Sequence, residues 1–307
     1  MYLDFFGLRE LPFTLTPNTD FYIDLGGHHR AFEVIQQALD SGEGFIKITG
    51  EVGTGKTLLC RRLLNRLHAR YVTAYVANPF LSPDGLMLVL AEELNLPVAD
   101  EKSRDTLLGQ INCKLLSLKL QGKKIVFLLD EAQAMPEDSI EALRLLANLE
   151  TESEQLLQIV LFGQPELNSL LNRSSLRQLK QRVTFTHELP VLTHEETANY
   201  INQRLAKAGF PGENLFSNKA MDTLFAASTG IPRLINILSH KAMLVAYGRG
   251  ETRVSHLHVE RAVEDTGDVK IARPHVQQQR ARFPWLTMVF ACLASSVVSF
   301  ALAHWLL

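Results

Sequence analysis

Gly50-Glu51-Val52-Gly53-Thr54-Gly55-Lys56-Thr57 satisfies G-x-x-x-x-G-K-[ST] at each fixed position. Before it runs Phe45-Ile46-Lys47-Ile48-Thr49, a short β-prone stretch, and after it Leu58-Leu59-Cys60-Arg61-Arg62-Leu63-Leu64, with helical character. A chance glycine-rich turn of this pattern arises in roughly one chain in a hundred of this length at average residue usage. The strand, loop and helix context turns the pattern into a phosphate site. Backbone N–H groups of such a loop and the helix N-terminus converge on one point and favour negative charge there. Glycines let the backbone wrap closely without Cβ clashes. Gly50 through Thr57, with Leu58 as the next helical residue, are therefore the expected nucleotide-binding set. Lys56 is expected to reach the β- and γ-phosphates, and the Thr57 hydroxyl to ligate Mg²⁺.

Outward from the loop, the hydrophobic pattern alternates. Helical spacing covers 31–39 and is closed by Ser41-Gly42. A second β-prone run spans 71–77 and ends at Asn78-Pro79, and helical stretches are expected over 83–94 and 103–120, each after a capping-type residue. Ile125-Val126-Phe127-Leu128-Leu129 is a continuous apolar run, as a strand buried on both faces of a parallel sheet requires. A helix over 139–150 and another apolar strand over 158–163 continue the alternation, which argues for an α/β domain with a parallel sheet. After Leu189-Pro190 strand signals stop, and helices over 195–208, 218–227, 232–247 and 256–265 read as a small all-helical domain. The opening 27 residues, rich in aromatics, prolines and glycines, read as an extended strap over an apolar surface. The expected divisions are 1–190, 191–267, a basic linker over 268–284 containing Gln277-Gln278-Gln279, and a final segment over 285–307.

Asp130-Glu131 closes the buried strand and supplies the second half of the site. A carboxylate there can hold Mg²⁺ through water and its neighbour can polarise the attacking water, so Asp130 is read as the metal-side residue and Glu131 as general base. Gln164, in Phe162-Gly163-Gln164-Pro165-Glu166, ends the next strand where a polar side chain can orient that water. Arg173, Arg177 and Arg182 follow. One of them can act on a neighbouring subunit's γ-phosphate as an arginine finger, and Arg182, at the end of the stretch, is the choice. Thr229-Gly230-Ile231-Pro232-Arg233 starts a helix with proline in its first turn, and Arg233 can swing onto the phosphates and couple lid closure to nucleotide state.

The formal net charge of −2 over 307 residues gives no global pull toward nucleic acid. Cys60, Cys113 and Cys292 have no metal-ligand spacing and read as ordinary buried thiols in a reducing compartment. His28 and His29, with no spaced partner, read as surface or packing residues. The start has no basic-then-apolar signal peptide. From Trp285 to Leu307 no Asp, Glu, Lys or Arg occurs. As a helix that run would extend about 34 Å, enough to cross a hydrocarbon core of about 30 Å. Trp285 and Trp305 lie near its ends, where interfacial aromatics belong. Lys270, Arg273, Arg280 and Arg282 precede it and no Lys or Arg follows, which orients the bulk of the chain toward the cytoplasm, where ATP is found.

Gly50–Thr57, Leu129-Asp130-Glu131-Ala132-Gln133, Phe162-Gly163-Gln164-Pro165-Glu166-Leu167 and Gly230-Ile231-Pro232-Arg233-Leu234-Ile235-Asn236 together resemble the AAA+ ATPases of bacterial envelope assembly, the general secretion pathway A (ExeA-like) and MSHA pilus biogenesis (MshM-like) proteins. The opening Phe6-Gly7-Leu8, Pro12-Phe13 and Thr16-Pro17 are also similar, so the resemblance covers about residues 1–265. It implies a P-loop NTPase fold: an αβα parallel-sheet domain followed by a helical lid, here with a C-terminal transmembrane helix. It further implies ATP hydrolysis, nucleotide-dependent homo-oligomers, Gln164 as sensor 1, Arg233 as sensor 2 and an arginine near Arg182 as finger. The longer secretion members continue past their span into a peptidoglycan-binding domain, whereas this sequence stops at the span, which favours the pilus-type reading. The expectation is a single-pass protein of the bacterial inner membrane that works on pilus or secretion assembly proteins and meets lipid through its last helix. Two other readings stay open. One is a DNA-dependent AAA+ regulator of the transposition type, which would need a basic face. The other is a slowly hydrolysing nucleotide-binding scaffold, against which an intact Glu131 argues.

Overall fold

Whether a strand reads as a continuous apolar run depends on how many of its neighbours cover it, and the sheet shows this directly. The computed structural model describes residues 2–15, 21–24, 26–67, 70–97, 104–149 and 155–267. A four-residue helix α1 (Leu3–Phe6) opens the chain, followed after the strap by α2 (Gly26–Asp40) and β1 (Phe45–Thr49). Then come α3 (Lys56–Arg66), β2 (Tyr71–Val76), α4 (Pro83–Glu93), α5 (Arg104–Leu120), β3 (Lys124–Leu129), α6 (Glu137–Ala147) and β4 (Gln158–Gly163). Two short helices, α7 (Glu166–Leu171) and α8 (Arg177–Arg182), lead to β5 (Val183–Glu188). All pairings are parallel, in the order β2-β3-β4-β1-β5.

Strand side chains alternate between the two faces, as the period of two demands. Phe45, Phe127, Leu129, Ile159 and Leu161 pack with α4–α8 on one side. Ile46, Ile48, Val126, Leu128, Val160 and Phe162 pack with α2 and α3 on the other. That is the expected αβα arrangement. Strand β5 is the strand that the apolar pattern did not reveal. It is an edge strand whose Val183, Phe185 and His187 are half-buried while Thr184, Thr186 and Glu188 are exposed, so it never presents an unbroken apolar run.

The helical part comprises α9 (His194–Lys207), α10 (Asn218–Ser228), α11 (Pro232–Gly248) and α12 (His256–Glu264). The opening segment packs into this part. Tyr2, Phe6, Leu8, Phe13, Phe21 and Ile23 are buried with Ile201, Leu224, Ile235 and Leu238. Backbone bonds fix it there, with Arg9 N–H donating to the Ala208 carbonyl at 2.8 Å. The strap is thus seated on the helical core although it precedes the sheet in the chain. The division at residue 190 describes chain order, and packing assigns the described residues of the opening segment across it.

The linker and helix expected over 268–307 lie outside the described residues. Among the described residues no helix is long and apolar enough to cross a membrane. Cys60 is buried as expected, but Cys113 is exposed on the outer face of α5, because the helix turns Ile111 and Leu115 inward.

Candidate active site

The parallel register brings the carboxyl ends of the strands together. Thr49 lies beside Gly163, Leu129 lies beside Leu161 and Val76 beside Leu129. Ligands of open α/β sheets bind at this end. The glycine loop leaves β1 here, with Gly50 N–H donating to the Gly163 carbonyl at 3.2 Å. The Thr54 hydroxyl closes the turn on the Glu51 carbonyl at 2.8 Å. Gly53 and Gly55 take φ of 84° and 98°, where a Cβ is strained. Space is also closed. A Cβ at Gly53 would stand 2.6 Å from Arg233 Cβ, and one at Gly55 would stand 3.0 Å from His28 Nε2.

Gly55 begins α3 with no side-chain cap, whereas Ser82, Thr193 and Ser217 each cap their helices. The first-turn N–H groups of α3 therefore face the loop, an arrangement suited to an anion. Lys56 is 5% exposed. Its Nζ donates to the carbonyls of Gly50 at 2.7 Å and Glu51 at 2.9 Å. Burial pulls the ammonium pKa down, and the charges of Glu131 and Asp130 act to raise it.

Asp130 follows β3 and is 2% exposed. Its N–H bonds the Val76 carbonyl at 2.9 Å. Its carboxylate accepts the Glu131 N–H at 3.0 Å and the Thr57 hydroxyl. Burial pushes this carboxyl up, opposed by those two hydrogen bonds. The Thr57–Asp130 pair is the donor set expected for Mg²⁺, which keeps waters and phosphate oxygens and takes few protein ligands. Among the described residues no three His, Cys, Asp or Glu cluster as a metal cage. An open cradle of uncapped N–H groups, a buried lysine and this hydroxyl–carboxylate pair fit a nucleotide triphosphate with Mg²⁺.

Glu131 sits at φ 52° and ψ 37°, left-handed backbone that costs a non-glycine residue on the order of 1 kcal/mol or more. Its Oε2 accepts Gln133 Nε2 at 2.6 Å and Gln164 Nε2 at 3.2 Å. Lys56, Thr57, Glu131 and Arg233 border one cavity of about 350 Å³, with the exposed apolar Leu15 and Val52 among its other walls.

Helix α11 starts directly on the loop, Arg233 N–H donating to the Gly53 carbonyl at 3.2 Å. Behind the cavity Arg204 is buried. Its guanidinium donates to the Pro12 carbonyl at 2.6 Å and the Tyr200 hydroxyl at 2.7 Å, and that hydroxyl donates to Asn236 at 3.1 Å. The strap, α9 and α11 are thus tied at the cavity wall.

The structure brings together residues 50–58, Asp130, Glu131, Gln164 and Arg233. Arg182 lies elsewhere. It ends α8 just before β5, whose first residue pairs with Phe45 at the amino end of β1, and it donates to the Ala147 carbonyl at 3.1 Å. It therefore belongs to the amino end of the sheet, opposite its own chain's site. Arg173 pairs with Glu137 at 2.6 Å, and Arg177 is exposed.

Several contributors carried little signal of their own. Tyr200, Arg204 and Asn236 are spaced as any amphipathic helix face. His28 proves to be a packing residue: its Nε2–H donates to the Thr54 carbonyl at 2.7 Å under the loop, and its Nδ1 is buried without a partner. Gln133 was visible only as part of a longer motif.

Residues 38–171 match the family model described as AAA domain. The chain is 38% identical over 298 residues to general secretion pathway protein A of Aeromonas hydrophila, covering 97% of this chain and 52% of that protein. It thus spans about half the length of that curated relative. Among solved structures, the CDC6P protein of Pyrobaculum aerophilum superposes with a TM-score of 0.62 at 19% identity, over 83% of this chain and 70% of the other. The ORC2 protein of Aeropyrum pernix, in ADPNP-ADP complexes, gives 0.59 at 17% identity over 81% and 71%. At such identities these two show the fold alone. The expected α/β parallel-sheet P-loop NTPase fold is supported, and the secretion-pathway resemblance read from the motifs is borne out.

Proposed function

We propose that the chain is a membrane-anchored, Mg²⁺-dependent ATPase that couples ATP binding and hydrolysis to assembly of a type II secretion or type IV (MSHA-type) pilus machine at the bacterial inner membrane. The observation that carries the reading is the convergence of the glycine loop, Asp130, Glu131 and Gln164 at the carboxyl ends of β1, β3 and β4, roofed by α11. Lys56 exchanges the Gly50 and Glu51 carbonyls for the β- and γ-phosphates. The α3 N-terminus holds the phosphate chain, and Thr57 with Asp130 would hold Mg²⁺, which supplies charge neutralisation on the phosphate oxygens. Glu131 takes the proton of the attacking water, and Gln164 orients that water. Arg233 senses the phosphates from the lid.

The assembly role draws support from the similarity to a general secretion pathway protein. The anchor draws support from the uncharged run over 285–307 and from Lys270, Arg273, Arg280 and Arg282 before it. Homo-oligomers would place Arg182 against a neighbouring chain's site. The test is cell fractionation of the full chain beside a variant ending at residue 284, with ATPase activity followed in each fraction. Membrane-bound activity for the full chain and soluble activity for the short one is expected. A soluble full chain whose turnover rises with added DNA would overturn the reading.

A further inference from the structure

Glu131 stands on the loop after β3, and Gln164 on the loop after β4. Gln133 joins the two. Its Nε2–H donates to Glu131 Oε2 at 2.6 Å, and its Oε1 accepts the backbone N–H of Gln164 at 2.9 Å. The Gln164 side-chain Nε2 donates to the same Glu131 Oε2 at 3.2 Å. Both amide donors thus land on one carboxylate oxygen, and the other oxygen is left to act on water. The bridge needs room, which Gly163 provides, since a Cβ there would stand 3.2 Å from Gln133 Oε1. The left-handed backbone of Glu131 leads into the short 3₁₀ turn Ala132–Ala134 that carries Gln133 back over it.

We infer that Gln133 is a positioning residue for the hydrolytic step: its amide fixes the rotamer of Glu131 and ties it to the backbone of Gln164. The inference rests on the reading of Glu131 as general base. An amide is the one side chain of this length that donates at one end and accepts at the other without charge. When the Gln164 side chain turns to the γ-phosphate, Gln133 still holds the carboxylate. A base displaced by about 1 Å loses on the order of a hundredfold in rate, whereas ATP binding depends on the glycine loop and is untouched.

The experiment compares wild type, Gln133→Glu, Gln133→Met and Glu131→Gln in the full chain, measuring kcat, KM and the affinity for a fluorescent ATP analogue. Both Gln133 variants keep the side-chain volume. A kcat lowered about 10- to 100-fold with KM and analogue affinity within about twofold of wild type is the expected result. If Glu131→Gln is inactive while both Gln133 variants turn over within about twofold of wild type, the inference fails and the base assignment stands. A parallel loss of kcat and nucleotide affinity in both Gln133 variants would make Gln133 a structural residue only, and would equally overturn the inference. If Glu131→Gln itself keeps wild-type turnover, the base assignment falls and the inference with it.

Discussion

His28 shows how a residue far from the motif can govern it. Burial holds its imidazole below the ordinary value, and its bond to Thr54 fixes the glycine loop from beneath. A histidine with a depressed folded pKa binds its proton more weakly folded than unfolded, so stability is present above about pH 6.5 and falls as the pH drops through that value. Thermal midpoints should therefore decline between about pH 7.5 and 5.5. His187 and His240 are shifted the same way by burial, so His28→Asn should flatten the decline without removing it. Superimposable curves for wild type and variant would refute this role. The residue scale was also the least legible in the sequence. Lys56, Thr57, Asp130 and Glu131 are announced by spacing, because phosphate chemistry demands that spacing. His28, Gln133 and Arg204 act through contacts set by tertiary packing, which no local pattern carries.

At the scale of elements, the turn from α10 into α11 is locked by one glycine onto the segment that leads from β5 into α9. Gly230 takes φ of 78°, and a Cβ there would fall onto the Leu192 carbonyl oxygen; Leu192 N–H meanwhile donates to the Gly230 carbonyl at 2.9 Å. Gly230→Ala should cost about 2–4 kcal/mol in urea unfolding and weaken ATP binding, since α11 carries Arg233. Gly248, at the end of the same helix, has open space where a Cβ would stand, with nothing within 4 Å, and serves as the control. Gly248→Ala should be neutral or stabilising by up to about 1 kcal/mol. Equal effects of the two substitutions would contradict this role of Gly230. Most elements were legible because each follows a single period. Strands β3 and β4 are buried on both faces and read as apolar runs, and β1 as a short β-prone stretch. The lid helices show helical spacing between glycines. Strand β5 and helix α7 escaped, the first because an edge strand is only half covered, the second because six residues give a helical period too little length.

For the whole molecule, Arg182 is the informative residue, because it sits at the amino end of the strands while its own chain's site lies at the carboxyl end. If it completes a neighbouring site, specific activity should rise with protein concentration, and Arg182→Ala should remove that rise while ATP binding is retained. Activity independent of concentration in the wild type, together with unchanged turnover in Arg182→Ala, would exclude the finger. The central claim, that the loop after β1 grips ATP for hydrolysis at the carboxyl end of the sheet, is tested most directly by phosphate release. Full-length wild type and Lys56→Ala, extracted in detergent, are compared at saturating ATP and Mg²⁺. Steady turnover in the wild type and a loss of at least about a hundredfold in Lys56→Ala is the predicted result. Equal turnover in the two would contradict it.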